Sequence, residues 1–414
     1  MIAGHGRAAD GMLTVGGMRA DDLAERFGTP ALLFDKRVFD RALHTMLDAS
    51  TPHGIRVSYA SKALLLTALA RHIAPLSLGV DVASLGEAAT AARGGVVPSR
   101  MTLHGAGKTD DEIEAIFDGR VGRIAVDSID ELRRLVAASR GREARLLLRL
   151  NTGIEAHTHE FVRTAGDDSK FGIPPREEQR AFEILAANPH LQMEGVHAHI
   201  GSQIFDAAPF IANAELLLAA LGRARSAGLA PATTIVVGGG FGVQMHPEDP
   251  AQRVDAAAIL SAIAASVPPN VTIEIEPGRA LVAAAGTSLY RVMAIKRYAK
   301  RTFAIVDGSM ADNPRPALYG AYHHVVPARD SDAELHPVTV CGRSCENDEL
   351  ADAPLPRDLR AGDLLAFCTT GAYTYSMSSN YNRFPKPPVV AIDEAGATLW
   401  AKRETLDDLM RNDC

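Results

Sequence analysis

Between about residue 30 and residue 280, short apolar runs rich in β-branched residues alternate with Ala/Leu/Arg-rich stretches of helical period. The runs are ALLF (31–34), RVSYA (56–60), GVDVAS (79–84), MTLHG (101–105), RIAVDS (123–128), LLLRLN (146–151), GVHAHIG (195–201), TTIVVGGG (233–240) and VTIEIEPG (271–278). Strand followed by helix, repeated, predicts a parallel α/β unit, because parallel strands need a crossover helix between them. Close to eight such units fit the interval, and several runs end in polar or Gly residues, as the strand ends at the mouth of a (β/α)8 barrel do. No G-x-G-x-x-G turn opens the first unit, so a closed barrel over 34–280 is expected in preference to an open doubly wound sheet.

After residue 281 the pattern changes to SLYRVMAIKRY, TFAIVDG, HPVTVCG, DLLAFCTTGAY and PPVVAID, separated by Gly, Pro and Asp and carrying little helical period. That reads as an all-β domain over 281–414. Residues 1–33 offer a strand-like MLTVGG and a short helix, ADDLAERFG, and are grouped with it. The expected fold class is therefore α/β plus β. No internal repeat or low-complexity linker separates the two parts.

A chain of 414 residues is long enough for two cores, and 43 basic against 50 acidic residues give a formal charge of −7. With no basic run interleaved with aromatics, nucleic acid and anionic membrane are not expected as partners; a small-molecule ligand is. Cys341, Cys345, Cys368 and Cys414 show no C-x-x-C spacing, which argues against a zinc cluster or disulfide scaffold and for a reducing cytoplasm. No signal-like N-terminal apolar core and no uninterrupted apolar stretch of about 18 residues appears, so neither export nor membrane insertion is expected.

Several segments carry candidate chemistry. RVSYASKA ends a strand on Lys62, where a barrel would open into its mouth; partial burial there would raise the neutral, nucleophilic fraction of the amine and allow a Schiff base. Taken alone, a strand-end lysine is more often simply solvated. The run Gly238-Gly239-Gly240 lets backbone N–H groups approach a phosphate without an intervening Cβ, although such a run is commonly only a turn. In TIEIEPGR, alternation puts Glu274 and Glu276 on one face. A carboxylate at that mouth can pair with a pyridine nitrogen, and Arg279 can take a phosphate or carboxylate bidentately. In GVHAHIG, His197 and His199 share a face. They invite either a metal, as in a barrel hydrolase, or a ring stacked on a flat cofactor, with Ser202 donating to phosphate. No third ligand completes a metal set, and His197 reads best as a satisfied near-core histidine.

Taken in order, these segments resemble the fold-type III pyridoxal-phosphate-dependent amino-acid decarboxylases over nearly the whole chain. The resemblance runs through YASKA (59–63), GVDVASLGE (79–87), LHGAGK (103–108), AVDSIDEL (125–132), LRLNTGIEAHTHEF (148–161), SKFGI (169–173), GVHAHIGSQIFD (195–206), GGGFG (238–242), EPGR (276–279), DNPRPALYGAYH (312–323), SCEND (344–348) and GAYTYSMSSNYN (371–382). The pieces HIGSQIFD, NPRPALY and GAYTYSMSSNYN resemble most the branch of the family that acts on diaminopimelate.

The resemblance implies pyridoxal 5'-phosphate as cofactor, Lys62 as its Schiff-base lysine, His199 stacked on the ring and Glu276 on the pyridine nitrogen. It implies Ser202, Gly238–Gly240, Arg279 and Tyr373 around the phosphate, with Asp81 and Arg149 on the cofactor's other side. It gives Arg279, Arg315, Tyr319, Glu346 and Tyr373 to the substrate, Cys345 as proton donor, and a homodimer in which Cys345 and Glu346 reach in from the second subunit. The implied reaction is loss of carbon dioxide from the D-centre of meso-2,6-diaminopimelate to give L-lysine. Other readings are decarboxylation of a related D-amino acid, diamino acid or carboxylated polyamine, a racemase on a similar barrel, a barrel-only cofactor carrier, and the His197/His199 metal hydrolase. The chain departs from the family pattern at Leu64, where asparagine is usual, at Leu85, where glycine is, and at Asn347, where the turn behind the cysteine is one residue tighter.

Overall fold

The computed structural model describes residues 4–154 and 169–414 and divides the chain into two compact units. One comprises His44–Gly242 and Arg253–Gly278; the other comprises the chain up to Leu43, Val243–Gln252 and Arg279–Cys414.

The first unit is a closed barrel of eight parallel strands in sequential order: Arg56–Ala60, Gly79–Val82, Met101–Leu103, Arg123–Val126, Ala144–Arg149, Leu191–His197, Thr234–Val236 and Thr272–Ile275. The last strand closes on the first, with Glu274 opposite Arg56 and Ile275 opposite Val57. The helices between them begin where the sequence supplies caps. Ser84, Thr109, Ser128 and Asp255 each accept a backbone N–H three residues on, and Thr109 with Glu112 forms a reciprocal capping box. Each such cap contributes about 1 kcal/mol by satisfying an otherwise orphaned donor. Most strand residues are buried on both faces, which is why the runs read as continuous apolar stretches and not as alternation.

In the second unit, a nine-stranded sheet is built around Gly286–Arg297. Two apolar clusters line it, one including Leu33, Leu289 and Ile392, the other Tyr290, Val340 and Phe367. His5–Arg7, Leu13–Val15 and Met18–Arg19 form a small separate sheet beside the helix Ala20–Phe27. The unit is mostly sheet, with short helices at Arg279–Val282, Arg315–Tyr319 and Leu406–Met410.

The run ALLF, which straddles the expected domain boundary at residues 33 and 34, falls wholly in the second unit. Ala31–Asp35 (ALLFD) does not join the barrel; it pairs antiparallel with Gly286–Leu289 and parallel with Val389–Ile392 in the nine-stranded sheet. All five of its residues are buried, so its apolar run looks the same as that of a barrel strand.

Candidate active site

The C-terminal ends of the barrel strands surround a cavity of about 240 Å³ lined by Lys62, Asp81, His104, Arg149, Phe171, His197, His199 and Glu276. The first strand runs into a single 3-10 turn, Ser61–Ala63, that presents Lys62. Glu87 fastens this turn to the end of the second strand: its Oε2 accepts from Ser61 Oγ at 3.1 Å and from the Ala83 N–H at 2.6 Å. Lys62 itself is exposed, so the partial burial expected for it is not what the fold gives.

Glu276 follows the last strand and is buried. His197 Nε2 donates to its Oε2 at 3.0 Å, and His104 Nε2 lies 3.4 Å from its Oε1, which has no hydrogen-bond partner. Asp81, at the end of the second strand, accepts from Ser58 Oγ at 2.6 Å and lies 3.5 Å from His104 Nε2. The two carboxyls are driven apart. Burial and the negative charge of Glu276 push Asp81 well above the usual range; burial pushes Glu276 the same way, but His197 and His104 outweigh it and hold Glu276 low. Burial also pushes His104 down to about 4 and lowers His197; His197 is the ring hydrogen-bonded to Glu276, while His104 stands close by without a hydrogen bond to it.

His199, two residues beyond His197, accepts from the Gly239 N–H at 3.3 Å. Burial first, then the positive charges of Lys62 and Arg149, hold its ring well below the ordinary histidine value. Arg149 pairs with Asp127 at 3.2 Å and lies over the Phe171 ring, 4.6 Å from its centroid. The run Gly238–Gly240 is glycine for steric reasons: a Cβ would stand 2.6 Å from the Ala198 carbonyl oxygen, 2.2 Å from that of Glu276 and 2.5 Å from that of Gly201 respectively. Ser202 follows on the neighbouring loop, half-buried.

In the second unit, Arg279, Arg315, Tyr319 and Tyr373 form a cation–aromatic cluster. The Arg279 guanidinium lies 4.9 Å from the Tyr373 centroid, and that of Arg315 lies 5.4 Å from Tyr319 and 5.8 Å from Tyr373. Arg315 is buried and has no carboxylate partner among the described residues; burial, then the nearby charge of Arg279, brings it down to about 10. Tyr373 sits at φ 58°, a left-handed conformation uncommon for a tyrosine. Cys345 and Glu346 lie on an exposed turn. The Cys345 N–H donates to Asn382 Oδ1 at 3.2 Å, and Tyr381 Oη donates to Glu346. The tight turn is held by Asp348, which accepts from Ser344 Oγ at 2.6 Å and from the Met310 N–H at 2.7 Å.

The barrel thus gathers Lys62, Asp81, Arg149, His199 and Glu276 around one cavity, with Ser202 and Gly238–Gly240 on adjacent loops. The second unit gathers Arg279, Arg315, Tyr319 and Tyr373, and holds Cys345 and Glu346 on their own turn. The alternative of a His197/His199 pair for a metal is not favoured: His197 is turned to Glu276, and the three donors within 4.8 Å of one another among the described residues are His104, His197 and Glu276, without His199. Sequence reasoning missed His104, Asp127 and Phe171. His104 lies where LHGAGK leaves the third strand, a position equivalent to those of Asp81 and Lys62, and that equivalence was its available signal. Residues 155–161 of the LRLNTGIEAHTHEF motif lie outside the described residues.

The donor set suits a flat aromatic aldehyde phosphate. One cavity is lined by an amine, by imidazoles and by a buried carboxylate with an unpartnered oxygen, and beside it runs a backbone of three glycines that leaves no room for a Cβ.

Comparison with known proteins agrees. The pyridoxal-binding domain of the pyridoxal-dependent decarboxylases matches residues 37–283. A diaminopimelate decarboxylase of Bacillus subtilis is 37% identical over 97% of this chain and 95% of its own length, and one of Actinosynnema pretiosum is 39% identical over 98% and 94%. Among solved structures, a diaminopimelate decarboxylase of M. jannaschii superposes with a TM-score of 0.92 at 28% identity, covering 99% of this chain and 98% of that one. That of Helicobacter pylori, complexed with L-lysine, gives 0.88 at 31% identity, covering 94% and 98%.

Proposed function

The chain belongs to the pyridoxal-dependent decarboxylase family, and from that premise we propose how its own residues convert diaminopimelate to lysine and carbon dioxide. The reaction and the pyridoxal 5'-phosphate cofactor are those of its relatives; the assignment of residues is our reading. The observation that carries it is Glu276, buried, hydrogen-bonded to His197 with His104 beside it, held low by these two neighbours, and lining the same cavity as Lys62.

Bound in this cavity, pyridoxal phosphate supplies an electron sink for the bonding pair left behind when carbon dioxide departs. Lys62, whose amine lines the cavity, would hold the cofactor and release it to the substrate. Glu276 keeps a proton on the ring nitrogen, and it can do so because His197 and His104 keep its charge in place. His199 would stack on the ring, and Asp81 and Arg149, which line the same cavity, would lie on the cofactor's other side. The N–H groups of Gly238–Gly240, with Ser202, Arg279 and Tyr373, hold the phosphate. Arg279, Arg315, Tyr319 and Tyr373 take the substrate. Arg315 as cation and Glu346 as anion clamp its distal carboxylate and ammonium, so the carboxylate that leaves is the one at the D-configured carbon. Cys345 Sγ returns a proton to that carbon. Cys345 and Glu346 serve the site of a second copy of the chain, which makes the working form a homodimer.

We place this enzyme in the cytoplasm. Its cysteines are all free in the fold, and no helix among the described residues is long and apolar enough to cross a membrane.

The test is a panel of meso-diaminopimelate, lysine, ornithine and arginine, followed by carbon dioxide release and product chromatography. Turnover of diaminopimelate to lysine is expected, with Lys62→Ala inactive and lacking the long-wavelength absorbance of the bound cofactor. Preferential turnover of another diamino acid, or a Lys62→Ala variant that keeps the absorbance, overturns the assignment.

A further inference from the structure

The barrel holds a second cavity besides the one described above. At the opposite end, where the strands begin, a space of about 610 Å³ is lined by Arg56, Arg100, Arg123, Arg145 and Glu274, with Leu47 and Leu76 in its apolar wall. Its volume falls within the range of small-molecule sites, about 300–1,000 Å³.

Charge in this cavity is unbalanced. Arg123 is bidentate on Glu274 and also reaches Glu194 at 3.4 Å, and Arg145 donates to Glu194 at 2.5 Å. Arg56 and Arg100 have no carboxylate partner among the described residues. Arg100 is braced by backbone alone, donating from Nε to the Leu78 carbonyl at 2.7 Å and from Nη1 to that of Ala74 at 2.8 Å, and its Nη2 is left unpartnered. Four guanidinium groups therefore meet two carboxylates. Folding gains nothing from holding two unpaired cations beside an apolar wall, whereas an anionic guest gains a fixed, planar set of donors.

The floor of this cavity is also tied to the active site. Glu274 lies on the last strand and Glu276 directly past its end, two residues on, and Arg123, which grips Glu274, acts electrostatically on Asp81 as well.

We propose that this cavity binds a small organic anion, a phosphate or carboxylate carried on a compact apolar body, and that its occupancy modulates the active site through Arg123 and the strand Thr272–Ile275. An anion that draws on Arg123 loosens its hold on Glu274 and alters the field at Asp81 and Glu276.

Isothermal titration of the cofactor-loaded protein at fixed ionic strength tests this, with adenosine 5'-monophosphate, citrate and inorganic phosphate as probes. The binding arm does not depend on which substrate the enzyme uses. Saturable binding of adenosine 5'-monophosphate, tighter than that of either small anion, is expected, together with a shifted pH profile of decarboxylation. Arg56→Gln and Arg100→Gln should each weaken it about tenfold, equivalent to about 1.4 kcal/mol, and abolish the shift in the profile. Arg56 is exposed, so its variant stays informative even where loss of the Arg100 brace impairs folding. No saturable heat from any probe, equal affinity for adenosine 5'-monophosphate and inorganic phosphate, or binding unchanged in both variants overturns the proposal.

Discussion

The division of labour between Asp81 and Glu276 rests on a few atoms. Both carboxyls are buried beside His104, yet only Glu276 also receives the His197 donor. Glu276→Gln keeps the shape and removes the charge that holds the ring proton, so kcat should fall by at least about 100-fold while the fold survives; steady-state kinetics alongside circular dichroism checks it. A second buried acid, Asp312, accepts from Tyr290 Oη and from the Ser309 N–H at 2.7 Å each, and burial pushes it up to about 7. Because its folded pKa exceeds the unfolded value of 3.8, the native state binds the extra proton, and the associated stability is lost as pH rises from about 4 to 7. His104 and His323 have the opposite sign: burial depresses each to about 4, so stability is lost as pH falls from about 6.5 to 4. Removing Asp312 as Asp312→Asn should therefore make stability rise more steeply with pH between 4 and 7, by up to about 1.4 kcal/mol per pH unit. Urea denaturation at pH 5, 6 and 7 measures the slope; an unchanged or shallower slope contradicts the assignment.

Among the elements, the loop after the third barrel strand has the most to hold. It carries His104 just before two glycines of positive φ, Gly105 at 122° and Gly107 at 80°, and it is anchored by Lys108. The Lys108 ammonium is only 3% exposed and donates to the Gly105 and Ala125 carbonyls at 2.8 and 2.6 Å and to Glu131 at 2.8 Å. Lys108→Met strands a buried carboxylate and should cost about 3–5 kcal/mol, most of it recovered by adding Glu131→Leu; chemical denaturation of the single and double variants checks both parts. The legibility of the fold divides along similar lines. The barrel's period, its glycine run and its lysine-bearing strand end were readable because each follows from local chain geometry. The placement of ALLFD was not, since a strand buried on both faces has the same apolar run in a barrel as in a sheet. His104 and Lys108 stood in a quoted motif, but their roles depend on Glu276 and Glu131, residues far away in sequence or on another element, and spacing along the chain does not record that.

For the molecule as a whole, the proposed homodimer has a direct consequence. A Lys62→Ala variant and a Glu346→Gln variant, each inactive alone, should regain up to about one quarter of wild-type activity when unfolded together and refolded as a mixture, because half of the dimers are mixed and one of their two sites is intact. Activity that stays at background in the mixture, with sedimentation showing dimers, would remove Glu346 from the neighbouring site. Finally, the strand that completes the barrel sets Glu274 opposite Arg56 and Ile275 opposite Val57, with Glu276 just past its end. A slip of one residue at that seam would turn both acids outward together, leaving Arg123 without its counter-ion and the vitamin without its anion. A mis-zipped barrel is therefore colourless as well as unstable, and the yellow of a preparation becomes a census of chains that have closed correctly.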